Sequence, residues 1–391
     1  MAWRQLYLPA RGITSTLSLL FAFIYSKDLG VVNRSYVAVI MTFSILLIIS
    51  MTSGTTLTLR NLPLELKNIK NISSFVSLVL IEGITGLLLF FLALTTFSIF
   101  RDHLPQTLIL VSCLYFILSG IHLIFMEVLL AYNNFKKASK FEILTILLQM
   151  FFYFLLKSFP GVSIAVRLLL SFSVSHLIIA IMCYLWLRSE FGQVTKRANP
   201  KFFFKLTKGN HSIATVIGIV DRLDRLIIAW FLPVVLLGKY AVMSSLISFF
   251  RFLPDALAKL LISTKSENWG RYLKSRNRLL LGVVGLLILS TVASQTTITR
   301  LLGPDWLLPW GVSLTFALQE LARGAFQLVG NYKISLGSSY QTHRAAVALL
   351  LTAGPLSFIL AIWIGIIGVP SGFLLSYLGV LLYLWRTTKL V

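Results

Sequence analysis

The chain has 391 residues, of which 57% are hydrophobic and only 12% are charged. A soluble domain carries roughly 25% charged residues, so this composition predicts a polytopic membrane protein and excludes an ordinary soluble enzyme. The formal net charge of +22 would suggest nucleic-acid binding in a soluble protein. In a membrane protein the positions of the Lys and Arg residues relative to the spans must be examined first, because cytoplasmic loops collect them.

Windows of the length that a helix needs to cross a bilayer, about 20 mostly apolar residues, predict about twelve spans. Segments this long without strict alternation predict helices, because only helices and closed barrels satisfy their backbone groups in lipid. The first span has no small-residue cleavage motif, so we expect it to be a retained helix. The spans are Leu8–Ser26, Tyr36–Leu57, Phe75–Ile99, Thr107–Ala131, Phe141–Leu156, Val162–Leu187, Gly209–Leu232, Tyr240–Ile262, Leu279–Thr299, Leu307–Asn331, Ala345–Ile366 and Val369–Trp385.

Lys and Arg are concentrated in alternate loops, such as those around Lys67, Lys137, Lys205 and Arg271. Cytoplasmic loops collect these residues, so the pattern predicts that both termini are cytoplasmic. Much of the positive charge is therefore a topology signal, and no nucleic-acid partner is expected.

The longest of these basic connections divides the spans into two equal sets. We expect an N-terminal six-helix bundle over residues 1–190, a cytoplasmic linker over 191–208 and a C-terminal six-helix bundle over 209–391. Halves with an even number of helices keep the same orientation, as in parallel repeats. The outer loops are too short for a soluble active site, and Cys113 and Cys183 lie in apolar runs that support neither a disulfide framework nor a metal site.

Charged side chains interrupt several spans in helical register. On the seventh span they cover less than half of the circumference. Ionisable groups in a membrane cost about 2.5–3.5 kcal/mol each on insertion scales, so they normally face an interior or water. Four spans with such faces predict a shared aqueous lumen. The faces carry Arg11 on the first span, Asp221, Arg222, Asp224 and Arg225 on the seventh, Arg251, Asp255 and Lys259 on the eighth, and Glu320 and Arg323 on the tenth.

Positive side chains outnumber negative ones on these faces, which predicts a modestly cationic cavity. A structural alternative stays open, in which neighbours along each helix satisfy one another and only fix the packing. The pairs with suitable spacing are Asp221–Arg225, Arg251–Asp255 and Glu320–Arg323.

An internal repeat is visible in two hairpins, "TSTLSLLFAFIYSKDLGVVNRSYVAVIMTFSIL" from Thr14 and "DRLIIAWFLPVVLLGKYAVMSSLISFF" from Asp224. Each is a span, a short turn with Leu-Gly, a basic residue and a Tyr, then a run of small and β-branched residues. The second hairpin resembles the D-R-x-x-I … L-G-x-Y-A-V pattern of the multidrug/oligosaccharidyl-lipid/polysaccharide (MOP) flippase superfamily. The matching residues are Asp224, Arg225, Ile228, Leu237, Gly238, Tyr240, Ala241 and Val242, and a later turn with Leu301, Leu302, Gly303 and Trp306 is similar too.

The resemblance, with compact loops most similar to the polysaccharide branch, implies an all-α membrane fold of about twelve helices. Two six-helix bundles would be related by pseudo-two-fold symmetry around a V-shaped lumen. The implied activity is that of a transporter and not of an enzyme. It would flip an undecaprenyl-pyrophosphate-linked oligosaccharide, an O-antigen or polysaccharide repeat unit, from the cytoplasmic to the outer leaflet of the bacterial inner membrane by alternating access.

A planar guanidinium matches phosphate oxygens and keeps its charge, so arginines are the expected contacts of the headgroup. No cofactor is expected, and coupling is assigned to H+, Na+ or the membrane potential. Beyond the glycan and the bilayer, a polysaccharide polymerase or assembly proteins are expected partners of a monomeric chain. The substrate-binding candidates are Arg222, Arg225, Arg251, Arg323 and Arg11, and the lumen carboxylates are Asp221, Asp224, Asp255, Glu320, Glu82 and Glu127.

Other functions stay open. A cation-coupled multidrug or metabolite exporter of the same superfamily would favour an acidic or aromatic cavity. A membrane enzyme would need a nucleophile–base or ligand cluster, or a large outer loop. A channel is less compatible with a two-half architecture. His122 and His176 are expected to be hydrogen-bonded packing residues and not switches.

Overall fold

The computed structural model describes residues 2–61, 69–132, 134–159, 161–191, 200–247, 291–335 and 339–387. These ranges are helical apart from short turns and contain no strand, which confirms the predicted all-α fold. The helices are α1 (Ala2–Asn61), α2 (Ile69–Phe100), α3 (Gln106–Ala131), α4 (Phe135–Lys157), α5 (Ile164–Phe191), α6 (Pro200–Phe231), α7 (Val234–Ile247), α8 (residues 291–301), α9 (Trp310–Ser335), α10 (Ser339–Ile364) and α11 (Gly368–Thr387).

Helix α1 contains the first two predicted spans, which meet at Gly30. This residue has φ 69° and ψ 172°, a conformation that breaks a helix and that glycine adopts without a Cβ penalty. The Arg34 Nε atom donates to the Ser26 hydroxyl at 3.1 Å. In a continuous helix these residues would be separated by about 12 Å along the axis, so the break brings the two arms of α1 together locally.

The helices are long and apolar enough for a membrane. Six helical segments in the described ranges meet that criterion by length and composition: 9–49, 83–100, 106–131, 135–157, 164–190 and 340–384. Large apolar side chains on their surfaces are exposed, including Leu88 at 67% and Trp363 at 81%. A soluble protein rarely exposes contiguous apolar surface of this kind, so the chain is a multi-pass membrane protein.

The chain divides into two compact units, with boundaries inside α1 and α6. One unit, here called the split unit, comprises Met1–Val39 and Val220–Val391, and the other, the continuous unit, comprises Ile40–Ile219. In the continuous unit α5 packs on α3 and α4, and Phe90 stacks on Phe116 with ring centroids 4.8 Å apart. In the split unit α11 packs on α9 and α10. The predicted bundles of residues 1–190 and 209–391 stay a prediction.

Several helices begin before the predicted spans, and part of those spans lies outside the described residues. Helices α2, α4 and α7 each begin six residues before the expected start. Helix α6 begins at Pro200, so residues 200–208, expected in the linker, are helical and continuous with the seventh span. An apolar run marks only the part of a helix that fits the hydrocarbon, not the turns that extend into water. Most of the eighth and ninth predicted spans, with Arg251, Asp255 and Lys259, lies outside the described residues.

Candidate functional site

The split unit buries a guanidinium between two carboxylates. Glu320 and Arg323 lie one turn apart on α9, and Arg323 Nη1 donates to Glu320 Oε1 at 3.2 Å. Arg323 Nη2 also forms an ion pair with Asp221 Oδ2 on α6, and the Arg323 side chain is only 6% exposed. We call these three residues the paired-arginine cluster. A buried charge is tolerable when it is paired in this way, and the cluster fastens α6 to α9.

A neighbouring carboxylate on α6 is satisfied by neutral donors. The hydroxyl of Tyr240, a fully buried residue of α7, donates to Asp224 Oδ2 at 2.9 Å. The other oxygen of Asp224 accepts the backbone N–H of Arg225 at 2.8 Å. The Tyr240 ring meets the Phe316 ring edge-on, with centroids 5.3 Å apart, which fixes its direction. Asp224 is therefore held by hydrogen bonds and not by an ion pair with Arg225.

Arg225 itself has a neutral partner. Its Nη2 atom donates to the Ser244 hydroxyl on α7 at 3.1 Å, and Ser244 Oγ donates in turn to the Ala241 carbonyl. The Nε atom of Arg225 is buried and has no hydrogen-bond acceptor among the described residues. In contrast to Arg323, this guanidinium contacts no carboxylate in the part of the chain that the structure describes.

One of the three pairs with suitable spacing is an ion pair in the structure. Glu320 and Arg323 form the expected ion pair within α9. Asp221 does not pair with Arg225 along α6 but with Arg323 on another helix. The Asp221–Arg225 pair was expected from spacing along α6 alone, and this spacing does not show which side chains of neighbouring helices face α6. The third pair, Arg251–Asp255, lies outside the described residues.

The remaining described candidates lie on α6, α1, α3 and α2. Arg222 on α6 and Arg11 on α1 are half-buried members of the split unit. Glu127 lies on α3 in the continuous unit. Glu82 lies within α2, and its side chain is outside the described part. The structure thus brings together five candidates: Asp221, Asp224, Arg225, Glu320 and Arg323.

Two histidines of the continuous unit, His122 and His176, pack against each other. The rings of His122 on α3 and His176 on α5 are buried, with centroids 4.7 Å apart. The expectation that they are hydrogen-bonded is wrong for Nδ1, which has no partner among the described residues in either ring. Sequence alone could not reveal this, because it does not show that the two rings face each other.

Arg34 lies between the first two predicted spans, Leu8–Ser26 and Tyr36–Leu57, and was not among the candidate site residues. In the structure this residue is 4% exposed, follows the break at Gly30 and lies with Arg225 in the split unit. The internal repeat contained a hint, because both hairpins place a basic residue and a Tyr after the Leu-Gly turn.

The fold agrees with that of known transporters. No protein-family model matches this sequence, and a sequence search of the curated proteins found no match. Among solved structures, the lipid II flippase MurJ in an inward closed conformation is similar with a TM-score of 0.67 and 16% identity, covering 98% of this chain and 87% of that one. A multidrug resistance MATE family transporter of the MOP superfamily is similar in its inward-facing conformation (TM-score 0.66, 11% identity) and in its outward-facing conformation (TM-score 0.66, 12% identity). Both cover 99% of this chain and 96% of that one, so the predicted MATE-like fold is confirmed.

Proposed function

We propose that this protein is a flippase for a lipid-linked oligosaccharide whose sugar is joined to undecaprenol through a pyrophosphate. The substrate would be an O-antigen or polysaccharide repeat unit, moved from the cytoplasmic to the outer leaflet of a bacterial inner membrane by alternating access. H+, Na+ or the membrane potential would drive the cycle.

The observation that carries this proposal is the state of Arg225. Its guanidinium donates to the neutral Ser244, while Asp224 beside it is bound by Tyr240. Arg225 therefore retains a positive charge that a phosphate oxygen can bind with a short, charge-assisted hydrogen bond. The paired Arg323 is less suited to this role, because Asp221 and Glu320 already accept from it.

The fold supports the transport part of the proposal. Similar structures include a lipid II flippase and a transporter seen in both inward-facing and outward-facing conformations. A diphosphate cannot cross hydrocarbon unaided, since a charge at the bilayer centre is costly. A protein that offers arginine nitrogens within the membrane lowers that barrier, and the prenyl chain can remain in lipid.

The test is translocation of a fluorescent undecaprenyl-pyrophosphate oligosaccharide in vesicles that contain the purified protein. We expect Arg225→Ala to lower the initial rate at least tenfold, because it removes one charge-assisted contact with the phosphate. Arg225→Lys should keep part of the rate, since lysine retains the charge without the planar fork. Arg167→Ala is the matched control, because Arg167 lies in the continuous unit and donates to the Lys157 carbonyl.

A second candidate is a cation-coupled multidrug or metabolite exporter. The carboxylates of Asp221, Asp224 and Glu320 in the same unit are the observation that favours it, because they could bind a cation. Efflux of a cationic dye from the same vesicles, without movement of any prenyl-pyrophosphate sugar, would reject the flippase in favour of this exporter.

A further inference from the structure

Arg34 is a buried cation whose contacts among the described residues are neutral groups. Its Nε atom donates to the Ser26 hydroxyl at 3.1 Å, and its guanidinium carbon lies 5.1 Å from the centroid of the Tyr25 ring. Its Nη1 atom is buried and lacks a hydrogen-bond acceptor among the described residues. A buried charge of this kind is unfavourable unless an anion compensates it.

Helix α7 places Arg34 near Arg225. The hydroxyl of Ser35, next to Arg34, accepts the backbone N–H of Gly238 at 3.1 Å and donates to the Val31 carbonyl. A Cβ atom on Gly238 would lie 2.5 Å from the Ser35 hydroxyl, so only glycine permits this approach of α7 to α1. Six residues further along α7, about 9 Å away, Ser244 holds Arg225.

The two guanidinium groups are close enough for their like charges to interact. Neither guanidinium group contacts a carboxylate in the described part of the chain, although Asp221, Asp224 and Glu320 of the same unit accept from other groups. Repulsion of this kind lowers the stability of the unoccupied protein, and a bound anion would remove it.

We infer that Arg34 and Arg225 together form an oxyanion-binding site between α1 and α6 that accepts a phosphate-type group. Arg34 Nη1 and Arg225 Nε are both buried and lack an acceptor among the described residues, and two planar forks suit the several oxygens of a diphosphate. The inference deepens the proposed function and rests on it for the lipid-linked source of the phosphate. The other source of the same chemistry is free inorganic pyrophosphate or phosphate.

The site can be tested by binding, independently of transport. The full chain in lipid nanodiscs is titrated with inorganic pyrophosphate, and separately with undecaprenyl pyrophosphate, at constant ionic strength. The variants are Arg34→Gln, Arg34→Lys and Arg225→Gln, with Arg167→Gln as the control in the continuous unit. Dissociation constants are measured together with the unfolding temperature of each variant without added anion.

We expect Arg34→Gln to raise the dissociation constant of the bound anion about tenfold or more, and Arg34→Lys to raise it less. In the Arg225→Gln background, Arg34→Gln should have a much smaller further effect, because the two side chains share one ligand. Without anion, Arg34→Gln should raise the unfolding temperature by relieving the like-charge repulsion. A merely structural role of Arg34 predicts the opposite, a lower unfolding temperature and an unchanged dissociation constant.

The two anions distinguish a lipid headgroup from a free anion as the source of the bound phosphate group. Binding of undecaprenyl pyrophosphate that depends on Arg34 supports the lipid headgroup, and Arg34-dependent binding of inorganic pyrophosphate alone supports a site for a free anion. Equal affinities of the wild type and the Arg34 variants, or no binding of either anion by the wild type, would overturn the site. Arg34-dependent binding without glycolipid translocation would retain the site and reject the flippase, so the two proposals fail separately.

Discussion

Three arginines of the split unit are held in two different ways. Arg323 is buried between Asp221 and Glu320, so its charge is compensated within the protein. Arg225 and Arg34 contact hydroxyl groups of Ser244 and Ser26 instead. We infer that the first arrangement joins helices, whereas the second leaves a positive charge that a ligand can bind. The sequence could not distinguish them, because it shows the charge of each arginine and not the groups that the side chain contacts.

The comparison predicts the largest effect for removal of the paired arginine. Arg323→Ala leaves Asp221 and Glu320 buried without their partner, and breaking a buried ion pair in this way costs about 3–5 kcal/mol. Arg225→Ala should cost less than about 1 kcal/mol, because it leaves only a hydroxyl without its donor. Reversible unfolding in detergent measures both, and equal losses would show that the two environments do not differ.

A triple substitution, Arg323→Met with Asp221→Asn and Glu320→Gln, should recover much of that loss. With neutral side chains of similar size, no buried charge is left without a partner. Replacement of a whole buried ion cluster often leaves the free energy of unfolding unchanged or raises it by about 1–4 kcal/mol. The measurement is the same unfolding midpoint, with Asp221→Asn alone as the comparison. A triple variant as unstable as Arg323→Ala would indicate that the cluster contributes directional bonds that neutral groups cannot replace.

The sequence predicted the helices well and the pairing of their side chains poorly. Hydropathy located α3 within one residue of its start, since Thr107–Ala131 was expected and Gln106–Ala131 is observed. The polar faces of α6 and α9 were also predicted, because helical spacing alone defines them. The ion pair of Asp221 with Arg323 and the burial of Arg34 were not, because both depend on which helices become neighbours.

The Tyr240 hydroxyl is predicted to keep Asp224 from neutralising Arg225. Tyr240→Phe removes the donor to Asp224 and should cost about 1–2 kcal/mol of stability, since a buried carboxylate loses a hydrogen bond. The freed carboxylate can then turn toward Arg225, so glycolipid translocation should fall several-fold. Tyr153→Phe, the same change at a buried position in α4, is the control. Unaltered translocation in Tyr240→Phe would show that Asp224 does not affect the function of Arg225.

The smallest predicted effect is that of Ser244→Ala. Interhelical hydrogen bonds in membrane proteins average about 0.6 kcal/mol, so loss of the Arg225 contact should lower the unfolding free energy by about that amount. Ser173→Ala provides a matched change at a buried serine of α5 that donates to the Leu169 carbonyl of its own helix. Translocation should be retained or increased in Ser244→Ala, because the guanidinium loses a competing acceptor and keeps its charge for the phosphate. A loss of transport as large as that of Arg225→Ala would mean that Ser244 must orient Arg225, and that the charge alone does not bind the headgroup.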